Sequence, residues 1–221
     1  SNIDPDIAQN DPKLWLSQYP WPQISDYKYT RGSILIVAGA IMAGASRLAA
    51  RAASRIGAGV VTIASPVEVS SVFAGDDPSF LVKCFAGSKD FVSLLEDERL
   101  NTLLIGPGAG VKPETADVVL QALRTNKFVV LDADALTVFK ERQEEFFEAI
   151  RKNNVVLTPH DGEFSRLFDF SGDKLSRCRK AAEKSGAVVL LKGPDTVVAA
   201  PDGRAIINCN APPSLATAGA G

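Results

Sequence analysis

Four short stretches of this chain combine residue types that could handle a charged ligand. Gly106-Pro107-Gly108-Ala109-Gly110 follows an apolar run and precedes a helical pattern. Glycines let backbone N–H groups approach an anionic or bulky ligand, and the N-terminus of the following helix favours negative charge. The same residues also make an ordinary strand-to-helix turn, and their spacing is neither a P-loop nor a clean dinucleotide fingerprint. Asp132-Ala133-Asp134 closes a second apolar run. Asp132 is placed to face a ligand or a hydrated magnesium, whereas Asp134 suits the cap of a following helix. Thr158-Pro159-His160-Asp161-Gly162-Glu163 contains the sole histidine of the chain. Glu163 could order metal-bound water near phosphates or supply first-turn helix charge. Lys192-Gly193-Pro194-Asp195-Thr196 offers a lysine to a phosphate, beside a turn shaped by glycine and proline.

Such residues need strand ends to hold them, and the surrounding patterns supply these. Ile34-Leu35-Ile36-Val37 is fully apolar, as expected of a strand covered on both faces. A helix follows with Ala45, Leu48, Ala49, Ala52, Ala53 and Ile56 at the spacing of one inward face. Arg47, Arg51 and Arg55 fall on its other side, as a solvated face or a subunit contact. Gly57 and Gly59 end this helix before the strand Val60-Val61-Thr62-Ile63-Ala64. Further strands are read at 102–105, 128–131, 155–157 and 188–191, with a hairpin from 196–200 and 205–207 around Pro201-Asp202-Gly203. Helices are marked by Ala116, Val119, Leu120 and Leu123, and by Leu175, Cys178, Ala181 and Ala182. Strands alternating with helices predict an α/β fold with a mostly parallel sheet and helices on both faces. In that architecture ligands bind beyond the carboxyl ends of the strands, where all four stretches fall.

Composition narrows the partners. The chain has 221 residues, 46% hydrophobic and 23% charged, which suits a globular core. A net charge of -2 gives no global field to recruit nucleic acid or an anionic membrane. An anionic ligand must then be held by local devices. No apolar run is long enough to span a bilayer, and the opening Ser1-Asn2-Ile3-Asp4-Pro5-Asp6 does not read as a leader. Cys84, Cys178 and Cys209 lie far apart without metal-ligand spacing, as expected of thiols in a reducing cytosol. Residues 1–26 show no sustained period and read as an arm or linker, whose Trp15, Tyr19 and Trp21 are expected to dock. The tail, 208–221, is a small-residue loop ending on Gly221, suited to a helix-entry anion hole.

Taken in order, several motifs resemble the NAD(P)H-hydrate dehydratase family over residues 27–221. They are Lys28-Tyr29-Thr30-Arg31-Gly32, Met42-Ala43-Gly44-Ala45, Gly57-Ala58-Gly59, Gly106-Pro107-Gly108 and Asp132-Ala133-Asp134-Ala135-Leu136. The set continues with Thr158-Pro159-His160-Asp161-Gly162-Glu163, Lys192-Gly193-Pro194-Asp195-Thr196 and Ala216-Thr217-Ala218-Gly219-Ala220-Gly221. The resemblance implies a three-layer α/β/α ribokinase-like fold and repair of hydrated nicotinamide cofactor. The ring hydroxyl of NADHX or NADPHX, the hydrated cofactors, would be phosphorylated by ADP or ATP, and phosphate then eliminated to regenerate NAD(P)H.

By motif, Ala45, Gly108, Gly110 and His160 would line the hydrate site. Lys192, Gly193, Pro194, Asp195, Thr196 and Gly221 would hold the nucleotide. Mg2+ would neutralise its phosphates, near Asp132 and Glu163. The family's catalytic base is an Asp after the final glycine, so no residue of this chain is assigned that role. The chain alone is therefore expected to be inactive and incompletely covered by helices. Asp161 stands where the family carries proline, and Thr137 where it carries asparagine. The resemblance also implies a cytoplasmic homo-oligomer, a tetramer among its options, and allows an epimerase domain before residue 1. Two rivals stay open at this point: a vitamin or sugar kinase of the same fold, and a non-catalytic nucleotide-binding fragment.

Overall fold

The computed structural model describes residues 6–217. Its strands are β1 (Ile7–Gln9), β2 (Ser33–Val37), β3 (Val60–Pro66), β4 (Leu81–Phe85), β5 (Thr102–Ile105), β6 (Phe128–Leu131), β7 (Val155–Leu157), β8 (Val188–Leu191), β9 (Thr196–Ala199) and β10 (Ala205–Asn208). Its α-helices are α1 (Ala43–Ile56), α2 (Ser70–Ala74), α3 (Ser88–Leu95), α4 (Pro113–Leu123), α5 (Asp134–Thr137), α6 (Gln143–Ile150), α7 (Asp161–Leu167) and α8 (Lys174–Ser185). Among the described residues the strands form one sheet in the order β1-β10-β9-β8-β7-β6-β5-β2-β3-β4. From β4 across to β8 every neighbouring pair is parallel, while β9 runs antiparallel to both β8 and β10. The sheet reverses its winding between β2 and β5, the arrangement that opens a crevice at the strand ends.

Helices cover both faces, giving the three-layer α/β/α architecture. On one face Phe91, Val119, Phe146, Phe147 and Cys178 pack with Leu103, Ile105, Val129, Leu131 and Val189 in a single core. Burial pushes the Cys178 thiol up to about 11, leaving it an inert core group. On the other face Ala50 and Phe73, from α1 and α2, pack on Ile36 and Ile63. Strands β2 and β3 are covered on both sides, as their unbroken apolar runs require. Burial alternates along β5, β6, β8 and β9, so that Leu104, Val130, Leu190 and Val198 are only half-buried on the α1 side.

Three sequence expectations change. The arm contributes a strand: β1 pairs parallel with β10, and Tyr19 Oη donates to the Ile56 carbonyl at 2.8 Å. Three residues are too few to show a period, and only the pairing partner defines them as a strand. In α1 the residues fully buried are Ser46 and Ala50, not the larger apolar stripe. Small side chains let the helix lie close on the sheet, whereas Leu48 and Ile56 stay 46% and 67% exposed. The arginine face is not simply solvated either. Arg47 donates to both carboxylate oxygens of Asp76, at 2.9 and 3.1 Å, and Arg51 joins the same carboxylate. The Asp76 side chain is 1% exposed, so this pair ties α1 to the turn after α2.

Hydrogen bonds from Arg47 first, and from Arg51, hold the Asp76 carboxyl at about 2, below the usual 3.8. A depressed folded-state value contributes stability above the unfolded value and loses it as pH falls through the folded one. Asp76→Asn should therefore cost about 1.5–3 kcal/mol at neutral pH, the worth of hydrogen bonds to charged groups. For a chain of this size that lowers Tm by roughly 3–12 °C. The gap between wild type and variant should close as pH falls from 3.8 to about 2. Thermal melts of the full-length protein across that range check it; a pH-independent gap would contradict the ion pair.

Candidate functional site

The carboxyl ends of β2, β5 and β6 are locked together by backbone contact. Gly106 leaves β5 with φ +129°, and a Cβ on it would lie 1.8 Å from the Asp132 carbonyl oxygen. Gly39, just after β2, approaches Gly108 so closely that its Cβ would stand 1.5 Å from the Gly108 oxygen. No side chain fits in either gap, so these glycines set how near the loops approach. Between the two aspartates, Ala133 has φ +50° and ψ -116°. Such a conformation in a non-glycine residue is strained and persists only when its surroundings hold it. What holds it is visible: Asp134 Oδ2 accepts from Gly110 N at 2.8 Å, and Asp132 N donates to the Ile105 carbonyl. Asp134 thus ties the glycine turn rather than capping α5, the role its position in sequence suggested.

Lys192 leaves β8 and donates from Nζ to Asp132 Oδ1 at 2.8 Å. The two side chains are 18% and 23% exposed, so the pair is mostly desolvated yet reachable. His160 caps α7: its Nδ1 accepts from Gly162 N at 2.9 Å and Glu163 N at 3.3 Å. Glu163 Oε2 returns a bond to His160 N at 3.0 Å, completing a capping box. With Nδ1 accepting, the imidazole proton is assigned to Nε2, which lies 3.3 Å from Glu163 Oε1. Asp161, where the family carries proline, sits in the first turn of α7 and binds Arg177 Nη2 at 2.8 Å. The change therefore keeps a good first-turn residue and adds a tie to α8. Phe164 of α7 stacks near Phe168 at 4.9 Å and anchors the histidine turn on the core.

These elements enclose a cavity of about 770 Å3. Of the residues singled out in sequence, Ala45, Gly108, His160, Asp132, Lys192 and Gly193 line it. Gly110, Glu163, Pro194, Asp195 and Thr196 are not part of the lining, and Gly221 lies outside the described residues. Met42, Leu48, Ala49, Ala52 and Leu104 form an apolar wall that sequence reading had assigned to the core or passed over. Their exposed side of α1 is the signal: an apolar stripe next to the small-residue stripe that meets the sheet.

Asp132 and Glu163 are engaged by different partners. Lys192 neutralises the first, and the capping box uses the second, which is 7% exposed. Among the described residues no group of three or more His, Cys, Asp or Glu is placed to hold a metal ion. A second cavity, of about 820 Å3, lies at the amino ends of β2 and β5 between the arm and α1. Its lining includes none of the turns at 106–110, 132–134, 158–163 and 192–196.

The fold is the three-layer α/β/α fold of ribokinase-like proteins. A ribokinase-like superfamily protein of Enterococcus faecalis superposes with a TM-score of 0.83 at 22% identity, over 99% of this chain and 77% of that one. The ADP/ATP-dependent NAD(P)H-hydrate dehydratase of Bacillus subtilis, co-crystallised with ATP/Mg2+, gives 0.79 at 24% identity, over 96% of this chain and 76% of that one. The family model of NAD(P)H-hydrate dehydratase matches residues 34–221, and the chain belongs to that family. It is 39% identical over 217 residues to the bifunctional NAD(P)H-hydrate repair enzyme Nnr of Salinibacter ruber, covering 88% of this chain. Against the enzyme of the same name from Moorella thermoacetica it is 36% identical over 220 residues, covering 93%. The chain spans 38% and 41% of the length of those two relatives.

The backbone contacts predict an asymmetry between two glycines. Gly39→Ala forces a methyl into the Gly108 carbonyl and should cost about 3 kcal/mol or more, or abolish folding. Gly44→Ala, in the first turn of α1, meets nothing within 4 Å. It should be neutral or stabilising by up to about 1 kcal/mol. Denaturant melts of both variants decide this, and equal stability would refute the close approach.

Proposed function

We propose that the protein containing this chain dehydrates (S)-NAD(P)H hydrate to NAD(P)H, with ADP or ATP as phosphoryl donor. The observation that carries this reading is one cavity with two unlike ends. An apolar wall with Ala45, and Gly108 after β5, lies toward one end; the Lys192–Asp132 pair and Gly193 lie toward the other, with His160 following β7, the strand between those of the pair. The apolar end suits a flat nicotinamide ring, and the lysine end suits phosphates. The ring hydroxyl attacks the terminal phosphoryl group, giving up its proton, and the nucleoside phosphate leaves. The C–O bond then breaks with loss of phosphate while the neighbouring carbon loses a proton, restoring the ring double bond.

The residues of this chain supply position and charge. Glycine turns bring backbone N–H groups to the cavity, and Lys192 meets the phosphates. Both carboxylates that line the cavity are engaged, Asp132 by Lys192 and Asp134 by Gly110 N. This supports taking the proton-accepting base from outside the described residues, as the family pattern after Gly221 implies. Among the described residues no cluster of carboxylates makes a cage for Mg2+; a divalent cation would arrive on the nucleotide and supply charge neutralisation there. A fused or partner epimerase domain fits the word bifunctional in the relatives' names. A cytoplasmic homo-oligomer completes the proposal, and no helix among the described residues is long and apolar enough to cross a membrane. The family match favours dehydration over release of a phosphorylated vitamin or sugar.

The full-length protein should regenerate reduced nicotinamide absorbance from hydrated NADH only when ADP or ATP and a divalent cation are present. Turnover without nucleotide would end this mechanism. Lys192→Ala should weaken nucleotide binding about ten- to a hundredfold, as expected for a lost charged hydrogen bond. Hydrate binding should change much less. Calorimetry on both ligands separates the outcomes, and equal losses would remove Lys192 from the nucleotide. Because Lys192→Ala also strands Asp132, the double variant with Asp132→Asn controls for the orphaned carboxylate.

A further inference from the structure

Lys174 opens α8, beneath the turn of residues 192–196. A helix N-terminus carries partial positive charge, so a cation in its first turn is disfavoured. The first turn of α8 holds no acidic residue to offset it. The neighbouring cap, Asp173, already accepts from Ser176 N at 2.9 Å and Ser176 Oγ at 2.6 Å. The lysine is nevertheless only 14% exposed at its side chain, and its Nζ donates to Asp195 Oδ1 at 3.0 Å. That hydrogen bond holds the Asp195 carboxyl below its ordinary value. A Cβ built on Gly193 would stand 2.3 Å from Lys174 Nζ, so the ammonium lies close beside that residue. One charged group therefore holds the turn through Asp195, next to Gly193, which lines the cavity. Its base is firm, because the buried Cys178 Sγ of α8 donates to the Val189 carbonyl at 3.3 Å and the Val197 carbonyl at 3.5 Å, in β8 and β9.

We propose that Lys174 is a positioning residue for the phosphoryl donor, acting through Asp195 in the turn that Gly193 opens. It rests on the reading that the 192–196 turn holds the nucleotide. Lys192 meets the ligand from above the turn, and Lys174 fixes the turn's shape from below. The substitution Lys174→Met keeps most of the aliphatic bulk and removes the charge.

In the full-length protein, Lys174→Met should raise the KM and Kd for ADP or ATP about five- to twentyfold, below the full worth of a hydrogen bond to a charged group because Asp195 is exposed and Lys174 acts at one remove from the ligand. The KM for the hydrate should stay within about twofold of wild type, since its end of the cavity does not touch this brace. Asp195→Asn should act in the same direction, and the double variant should be no worse than the stronger single one. A generally loosened fold would instead move both KM values and add the two effects. Unchanged nucleotide KM in Lys174→Met, equal losses for both substrates, or additive effects each overturn the proposal. Should Lys174→Met fail to fold, the exposed Asp195 decides: Asp195→Asn with wild-type nucleotide KM rejects the brace. Lys192→Ala run in parallel keeps the two readings apart. If wild type binds no nucleotide, or Lys192→Ala binds it fully, the reading of the turn fails. If Lys192→Ala weakens binding and Lys174→Met does not, only the role of Lys174 falls.

Discussion

Backbone meets backbone at the carboxyl edge of the sheet, with no room for a Cβ between Gly39 and Gly108 or between Gly106 and Asp132. The rest of the site depends on this contact. It brings the loop after β2, the glycine turn after β5 and the aspartate pair after β6 onto one rim. It also accounts for Ala133, whose positive φ is tolerable only while its neighbours are held on both sides. With that rim fixed, Asp132 is aimed at Lys192 across the one strand β7, and Asp134 is turned back to the glycine turn. Loops that carry ligand-facing groups usually move more than the sheet they join. Here they are pinned by contacts as short as those within the core.

Charge at the cavity is already paired: Lys192, which lines it, has Asp132, and Lys174, outside the lining, has Asp195. On the proposed function, an entering phosphate competes with Asp132 for the Lys192 ammonium, so part of its attraction is offset by the partner it displaces. In a chain whose net charge is -2, local geometry and not a long-range field would then attract the anion. The apolar wall is secured in the same manner from outside. The arginines of α1 grip Asp76, which holds in place the helix that presents Ala45 and Leu48 to the cavity.

Much of this was legible in the residues. The starts and ends of β5, β6 and β8 follow directly from short apolar runs closed by Gly, Asp or Lys, because a strand buried on at least one face needs that pattern. The ligand-facing turns were legible for the same reason: polar residues directly after an apolar run mark the strand end. Strand β4 was not, since it lies at the edge of the sheet with Leu81 half-exposed and Lys83 in its middle. Helix α2, five residues long, offers no period to read. The side of α1 that meets the sheet was misread, because the rule that larger apolar residues face inward fails when close packing demands Ser46 and Ala50.

Sequence by itself determined the α/β alternation, the family, and which polar turns follow the strand ends, because each of these is written in local residue order. Tertiary structure decided the partners. His160 became a helix cap through its Nδ1, Glu163 was spent on the backbone of that cap, and Asp134 went to Gly110 rather than to its own helix. Lys174 became the brace of a turn about twenty positions away in the chain, 21 residues from Asp195. Each outcome depends on which groups lie within about 3 Å of one another, the reach of a hydrogen bond. That distance is set by the stacking of strands in an order the chain does not follow, so no reading of neighbours along the sequence could supply it.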